Sequence, residues 1–393
     1  MLAHKQLSAF TWFAQERLSR RLPANAPPFA IEMPGSGQWS FGSGTPRATI
    51  IVNSAKGLAA LVSLDATQLA EAYRRGALEV VGDLQSLLSL RGVFRDRHPL
   101  TSSWRHVRPR IFGRIASDIV WIADHYEYPD DFYLRFLDAR HRCYSQAIFG
   151  SDDEPLEDAQ SRKLQFAVDA IRVKPGDRVL DIGGGWGAFA EYGGQLGLRV
   201  TSLTLSRASE SFIQRLIDAQ ALPCRVVREH LFEHQPEQPY DAIVNLGVTE
   251  HLPDYPATLA KYRRLLKPGG RVYLDASAGR TPRDVSAFVL RHLFPGNGTV
   301  LCLHKYLKAV SATPFGVLNV VNDRHNYLLT ARHWAENLDR NREEIVAAWG
   351  EPLYRTFRLY LWGCVDGFAR DIIQAYRLVL ELPEGTEGQL HRG

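Results

Sequence analysis

The chain has 393 residues, 45% of them hydrophobic and 23% charged, and a formal net charge of +4. This is an ordinary globular composition, long enough to bury one large core and a smaller one. No stretch approaches the roughly 18 to 20 uninterrupted apolar residues of a membrane-spanning helix, and the N-terminal residues lack the apolar core of a signal peptide, so a cytoplasmic protein is expected. Cys143, Cys224, Cys302 and Cys364 stand far apart with no C-x-x-C pair, so neither a disulfide framework nor a metal ligand set is implied.

In chain order, helical spacing around Phe10, Phe13 and Leu18 gives way to a turn-rich stretch over 33–46. The β-branched run Ala48–Val52 follows, then helical stretches through Leu69 and Leu87, so residues 1–95 read as a small α/β unit. Arg91, Arg95, Arg97, Arg105, Arg108, Arg110 and Arg114 then face a single acid, Asp96. We assign 96–120 as an Arg-rich linker that suits either phosphate head groups at an anionic membrane surface or plain solvation.

The remainder, 121–393, alternates strand and helix. Leu156 to Val173 is helical, with acids at its start; Arg178–Ile182 is a strand, Ala188–Gln195 a helix and Arg199–Leu205 a strand. Tyr240–Asn245, Gly270–Leu274 and Gly316–Val321 are further strands. Residues 281–355 are irregular and aromatic-rich, which points to a helical insertion. Phe357, Leu361, Cys364, Phe368 and Ile372 recur at helical spacing, and Gln374 to Leu382 returns as a last strand. Such alternation predicts a doubly wound, mostly parallel sheet covered on both faces.

Between the first of these strands and its helix lies Asp181-Ile182-Gly183-Gly184-Gly185-Trp186-Gly187. Glycines here let a backbone approach a ligand, and the following helix offers free N-terminal amides. Nicotinamide and flavin enzymes use a similar turn, but no acid ends the second strand, where their ribose ligand would stand. Gly247-Val248-Thr249-Glu250-His251 follows the fourth strand, and Leu266-Lys267-Pro268-Gly269-Gly270 forms a turn into the fifth. That order of elements resembles the class I S-adenosylmethionine-dependent methyltransferases.

Further motifs narrow the resemblance. His125-Tyr126 with Asp131-Phe132-Tyr133, Phe136-Leu137-Asp138, Tyr144-Ser145, Ala159-Gln160 with Lys163-Leu164, and Val173-Lys174-Pro175-Gly176 lead up to the glycine turn. Thr204-Leu205-Ser206, Glu250-His251, Phe294-Pro295-Gly296 and Phe357 to Leu361 follow it, and Gly42 to Pro46 and Glu71-Ala72-Tyr73 match the N-terminal accessory domain of bacterial relatives. In these residues the chain is similar to the cyclopropane fatty acid synthases and mycolic acid methyltransferases.

The resemblance implies a seven-stranded methyltransferase sheet with the small accessory domain and helical insertion already described. It also implies transfer of a methyl-derived carbon from S-adenosylmethionine to the double bond of an unsaturated phospholipid acyl chain. Cofactor contacts are expected at Tyr144, Ser145, Asp181, Gly183, Gly185, Gly187, Thr204 and Leu205, and an acceptor channel near His125 and Tyr126. Relatives hold a bicarbonate base with a cysteine, a glutamate, a histidine, a backbone group near an isoleucine and a tyrosine. Glu250 and Tyr360 match the glutamate and tyrosine, whereas Gln146, Asp275 and Ser277 replace the cysteine, histidine and isoleucine, and Gly184 replaces a second cysteine in the glycine turn. These departures count against bicarbonate and make Asp275, with Glu250, the candidate base. Peripheral contact with the inner membrane face is expected, a homodimer is left open, and nucleic acid is excluded because no Asp/Asn-Pro-Pro-aromatic segment follows the fourth strand. Methylation of a small metabolite on the same scaffold is the alternative.

Overall fold

In the computed structural model, residues 12, 15–33, 37–94, 130–281, 285–294 and 299–385 are described. They divide into two compact units. The first begins with strands β1 (Phe29–Met33), β2 (Gly37–Phe41), β3 (Ala48–Val52) and β4 (Leu78–Gly82), in the sheet order β2-β1-β3-β4. Helices α1 (Ala55–Ser63), α2 (Ala66–Arg74) and α3 (Leu84–Leu88) are each opened by a side chain, of Ser54, Asp65 and Asp83, that accepts from a first-turn amide. The turn-rich stretch contains β2, a strand the composition conceals. Its register on β1 pairs Phe41 with Phe29, whose rings stack 5.0 Å apart.

The second unit begins at α4 (Asp130–Leu134) and contains α5 (Leu156–Ile171), β5 (Arg178–Ile182), α6 (Ala188–Gln195), β6 (Arg199–Thr204), α7 (Arg207–Gln220), β7 (Arg225–Arg228) and β8 (Tyr240–Leu246). Along the chain then follow α8 (Tyr255–Leu265), β9 (Leu266–Ala278), α9 (Ala287–His292), α10 (Leu303–Val310), β10 (Gly316–Asn322), α11 (Arg324–Arg340), α12 (Arg342–Trp349), α13 (Glu351–Ala369) and β11 (Gln374–Glu381), of which α9, α12 and most of α13 belong to the first unit. The sheet is seven-stranded, in the order β10-β11-β9-β8-β5-β6-β7. It is parallel except for β11, which runs antiparallel to both its neighbours. The Leu266–Gly270 turn is drawn into β9, with a register shift between Tyr240 and Ala242 and a left-handed Gly269 (φ 79°). Among the described residues no helix is long and apolar enough to cross a membrane.

Side chains alternate across the sheet. Leu180, Ile182, Leu203, Ile243, Val272 and Leu274 share one core with α8 and α10, while Val179, Val200, Ala242, Val244, Tyr273 and Val379 share the other with Leu164, Ala167 and Ile171 of α5. On the α5 side the sheet is apolar at the strand starts and carries Asp181, Asp275 and Ser277 farther along. Toward that polar end α5 carries Gln160 and Lys163, one turn before Leu164 and Ala167, and the Lys163 charge opposes the effect of burial on Asp181 and Asp275.

The first unit also takes Ser286–His292 and Leu338–Asp366, which lie inside the span the sequence assigns to the second. Hydrogen bonds and ion pairs hold these segments there. Arg355 donates to the carbonyls of Tyr73 (3.1 Å) and Leu78 (3.3 Å) and pairs with Glu79. Arg358 donates to the Tyr73 hydroxyl (2.9 Å) and to Asp339 (3.0 Å), Arg91 meets Asp366 at 3.2 Å, and His292 pairs with Glu71.

Candidate active site

The glycine turn closes between β5 and α6. Gly183, Gly185 and Gly187 have φ of 79°, 52° and 77°, the left-handed region that side chains resist. The Gly183 and Gly184 amides donate to the Leu203 carbonyl (3.0 and 2.8 Å), and Ser209 Oγ donates to the Gly185 carbonyl (2.6 Å). A Cβ on Gly183 would stand 2.3 Å from Val248 Cγ2, so this backbone is pressed against the tip of β8. Trp186 is core, its ring 5.7 Å from Tyr133 and 5.8 Å from Phe212. At Gly184 a Cβ would meet Ile213 Cδ1 at 2.8 Å and Ser202 Cβ at 3.0 Å, so neighbours occupy the space that relatives give to cysteine. Gly184→Cys should therefore lower stability by about 1–3 kcal/mol in a denaturant titration, through overpacking.

Asp181 ends β5, buried, and accepts from Ser202 Oγ at 2.7 Å. Burial lifts its pKa to about 6, with the Ser202 hydrogen bond and the Lys163 charge pulling the other way. Thr204 is buried at the end of β6 with its hydroxyl accepting from the Ser206 amide (3.1 Å), and Leu205 is half-buried beside it.

Tyr144-Ser145-Gln146 lies across the tip of β8. A Cβ on Gly247, itself left-handed, would stand 3.2 Å from Ser145 Cβ. The Tyr144 ring packs against Tyr133 (5.4 Å) and Trp334 (5.3 Å). Ser145 accepts at its carbonyl from Gln160 and at its hydroxyl from Lys163, both at 3.0 Å. Gln146 donates to Asp323 Oδ2 at 2.9 Å, leaving its own Oε1 without a partner among the described residues.

Glu250 sits in a short 3-10 turn, Thr249–His251, and is buried. Its Oε1 accepts from the Ser277 amide (2.6 Å) and Ser277 Oγ (2.9 Å), while Oε2 has no partner among the described residues. Burial raises its pKa to about 7. Asp275 is 0% exposed on β9, and neither carboxyl oxygen has a hydrogen-bond partner among the described residues. Its pKa is pushed up to about 7, first by burial and then by Glu250 and Asp323, with Lys163 opposing.

Sequence reasoning missed Asp323 and Arg377. Asp323, buried after β10, accepts from Gln146 and Asn326 and meets Arg377 at 3.4 Å; burial raises its pKa. Arg377 pairs in register with Asp275 across β11 and β9 and lies over the Phe166 ring. No local motif signals this, because the two sites are joined only through an antiparallel last strand.

The structure thus brings Gln146, Asp181, Glu250 and Asp275 into the second unit with Tyr144 and Ser145. Tyr360 belongs to the first unit, on α13, with its ring edge-on to Phe357 at 6.4 Å. His125, Tyr126, Pro295, Gly296 and the linker 96–120 lie outside the described residues.

The bicarbonate of relatives does not fit these groups. Unpartnered Gln146 Oε1, Glu250 Oε2 and both Asp275 oxygens are acceptors, and the Ser277 amide is already spent on Glu250. With Asp275 and Glu250 ionised, an anion would meet oxygen lone pairs where it needs donors.

A seven-stranded sheet, parallel except for β11, with a left-handed glycine turn at a strand end, an acid before it and a buried polar site beyond the strand tips is an arrangement that suits an S-adenosylmethionine-dependent methyltransferase. The sequence pattern of mycolic acid cyclopropane synthetase matches residues 115–378, and the chain belongs to that family. A probable fatty acid methyltransferase of Pseudomonas putida is 26% identical over 374 residues, covering 91% of this chain and 92% of that one. A probable fatty acid methyltransferase of Mycobacterium tuberculosis is 28% identical over 282 residues, covering 70% of this chain; the match spans 66% of that relative's length. The solved structure of mycolic acid cyclopropane synthase CmaA1, complexed with SAH and CTAB, superposes with a TM-score of 0.63 at 27% identity, covering 67% of this chain and 98% of that one.

Proposed function

We propose that the chain adds the methyl carbon of S-adenosylmethionine to the double bond of an unsaturated acyl chain of a phospholipid, giving a cyclopropane, methylene or methyl-branched product. The cofactor supplies an electrophilic methyl group on a sulfonium. An alkene is a weak nucleophile, and its attack leaves a cationic carbon, so the protein must exclude water and present fixed negative charge.

The observation that carries this reading is Asp275, a fully buried carboxyl whose two oxygens have no partner among the described residues and whose pKa is raised to about 7. In its ionised form it takes the proton released after methyl transfer. Glu250, oriented by the Ser277 amide and hydroxyl, adds charge opposite the developing cation, and Gln146 anchors Asp323 behind. Which proton leaves sets the product. The glycine turn, Asp181, Tyr144, Ser145, Thr204 and Leu205 hold the cofactor, and His125 and Tyr126 are assigned to the acceptor on the family resemblance alone. The 1–95 unit and the 96–120 arginines seat the enzyme on the anionic cytoplasmic face of the membrane.

Incubation with unsaturated phospholipid vesicles and methyl-labelled S-adenosylmethionine, then mass spectrometry of the fatty acids, should place label in the acyl chain. Label confined to water-soluble products would replace this reading with small-metabolite methylation. That second reading is favoured by the unpartnered acceptors of Gln146, Glu250 and Asp275, which suit a substrate with its own N–H or O–H donors.

The pH profile follows from the same groups. A base must be ionised, so kcat/KM should fall by about tenfold per unit below pH 7 and level off above it, the limb reporting the free enzyme. A flat profile from pH 5 to 8 would remove Asp275 as the base.

A further inference from the structure

Helix α5 turns inward two side chains that an amphipathic helix ordinarily gives to solvent. Gln160 and Lys163 are both 0% exposed. An enclosed lysine is costly unless its nitrogen finds acceptors, and Lys163 Nζ donates to Ser145 Oγ at 3.0 Å. Gln160, three residues earlier and so on the same helix face, donates to the Ser145 carbonyl at 3.0 Å. One helix thereby grips Ser145 at both of its oxygens, and Ser145 in turn lies against Gly247 at the tip of β8.

A serine hydroxyl has one proton to give and two lone pairs to fill. Lys163 occupies a lone pair, so the Ser145 O–H is left to donate, and it is strengthened as a donor by the charge behind it. The matching partner at the end of a parallel strand beside the glycine turn is an acceptor on the ligand. S-adenosylmethionine carries one anionic acceptor, its carboxylate.

We propose that Lys163 and Gln160 are positioning residues that fix Ser145 so that its hydroxyl donates to the carboxylate of S-adenosylmethionine. This rests on the reading of Ser145 as a cofactor contact. Lys163 acts through Ser145 rather than on the cofactor directly, and the contact distinguishes S-adenosylmethionine from its decarboxylated form.

Calorimetric titration of the full chain with S-adenosylmethionine and with decarboxylated S-adenosylmethionine tests this. Lys163→Met and Ser145→Ala should each weaken S-adenosylmethionine binding by about tenfold, the order expected from one hydrogen bond to a charged group. The double variant should bind no more weakly than the weaker single variant, and binding of the decarboxylated form should stay within about twofold of the unsubstituted chain. Unchanged affinity in Lys163→Met, losses that multiply in the double variant, or equal losses for both ligands would overturn the proposal. If Lys163→Met does not fold, Gln160→Met, which releases the Ser145 carbonyl, carries the same two-ligand comparison. No acyl acceptor enters this experiment, so failure to label phospholipid in vesicles leaves its outcome intact and the two readings fall separately.

Discussion

Asp275→Asn should slow methyl transfer by orders of magnitude while leaving S-adenosylmethionine bound and making the fold more stable at pH 8. The amide keeps the shape of the carboxyl but cannot take a proton, so loss of general-base catalysis should lower kcat by about 10²–10⁴-fold. The stability gain comes from burial. Asp275 has its pKa raised from 3.8 to about 7. Between those values the folded chain holds a proton that the unfolded chain has lost, so stability declines as pH rises from about 4 to 7 and then levels. The shift corresponds to something on the order of 4 kcal/mol against folding at pH 8. Glu250 and Asp181, also raised, act in the same direction. Thermal melts of the two proteins should converge near pH 4 and separate at pH 8, with Asp275→Asn the higher. An inactive variant that is also less stable at pH 8 would indicate a structural role for the carboxyl instead.

The second large effect is expected at Asp138. Its carboxylate is buried and accepts from the backbone amides of His141 (2.6 Å) and Cys143 (2.7 Å), closing a loop whose middle residue, Arg142, is left-handed at φ 60°. Such a backbone costs about 1–3 kcal/mol and persists only when its surroundings hold it. Arg142 then reaches the Trp186 carbonyl in the glycine turn at 3.3 Å and pairs with Glu191 on α6. Asp138→Ala leaves two enclosed amides unpaired and frees the strained residue, so denaturant unfolding should show a loss of about 3–5 kcal/mol. Affinity for S-adenosylmethionine should fall as well, because the same loop leads into Tyr144 and Ser145 and clamps the turn. A loss below about 1 kcal/mol would mean that water replaces the carboxylate.

Much of the second unit is legible in the sequence because its strands are enclosed on both faces. Arg178–Ile182 and Tyr240–Leu246 read as short apolar runs for that reason. β7, Arg225–Arg228, escapes because it is a short edge strand with charged ends, and β2 escapes because glycine and serine flank its aromatic residues. The site is legible where a motif is local, as at Gly183–Gly187 and Glu250. It is illegible where chemistry comes from pairing across distance. Arg377 faces Asp275 only once β11 is known to run antiparallel to β9, and Asp323 meets Gln146 across 177 positions. Lys163 is hidden in another way: periodicity assigns a lysine to the wet face of a helix, and here the polar end of the sheet draws it inside.

The path of the chain between its two units has a practical consequence for dissecting them. Because Ser286–His292 and Leu338–Asp366 belong with the N-terminal strands, no single cut separates the halves. A fragment begun after residue 95 would lose Tyr73, Glu79 and Arg91 while keeping Arg355, Arg358 and Asp366, the charged groups that those residues meet. The N-terminal piece alone would lack the same contacts from the other side. The first unit is therefore built from separate stretches of the chain, and its contribution is better tested by point substitutions at Glu79 or Tyr73 than by truncation.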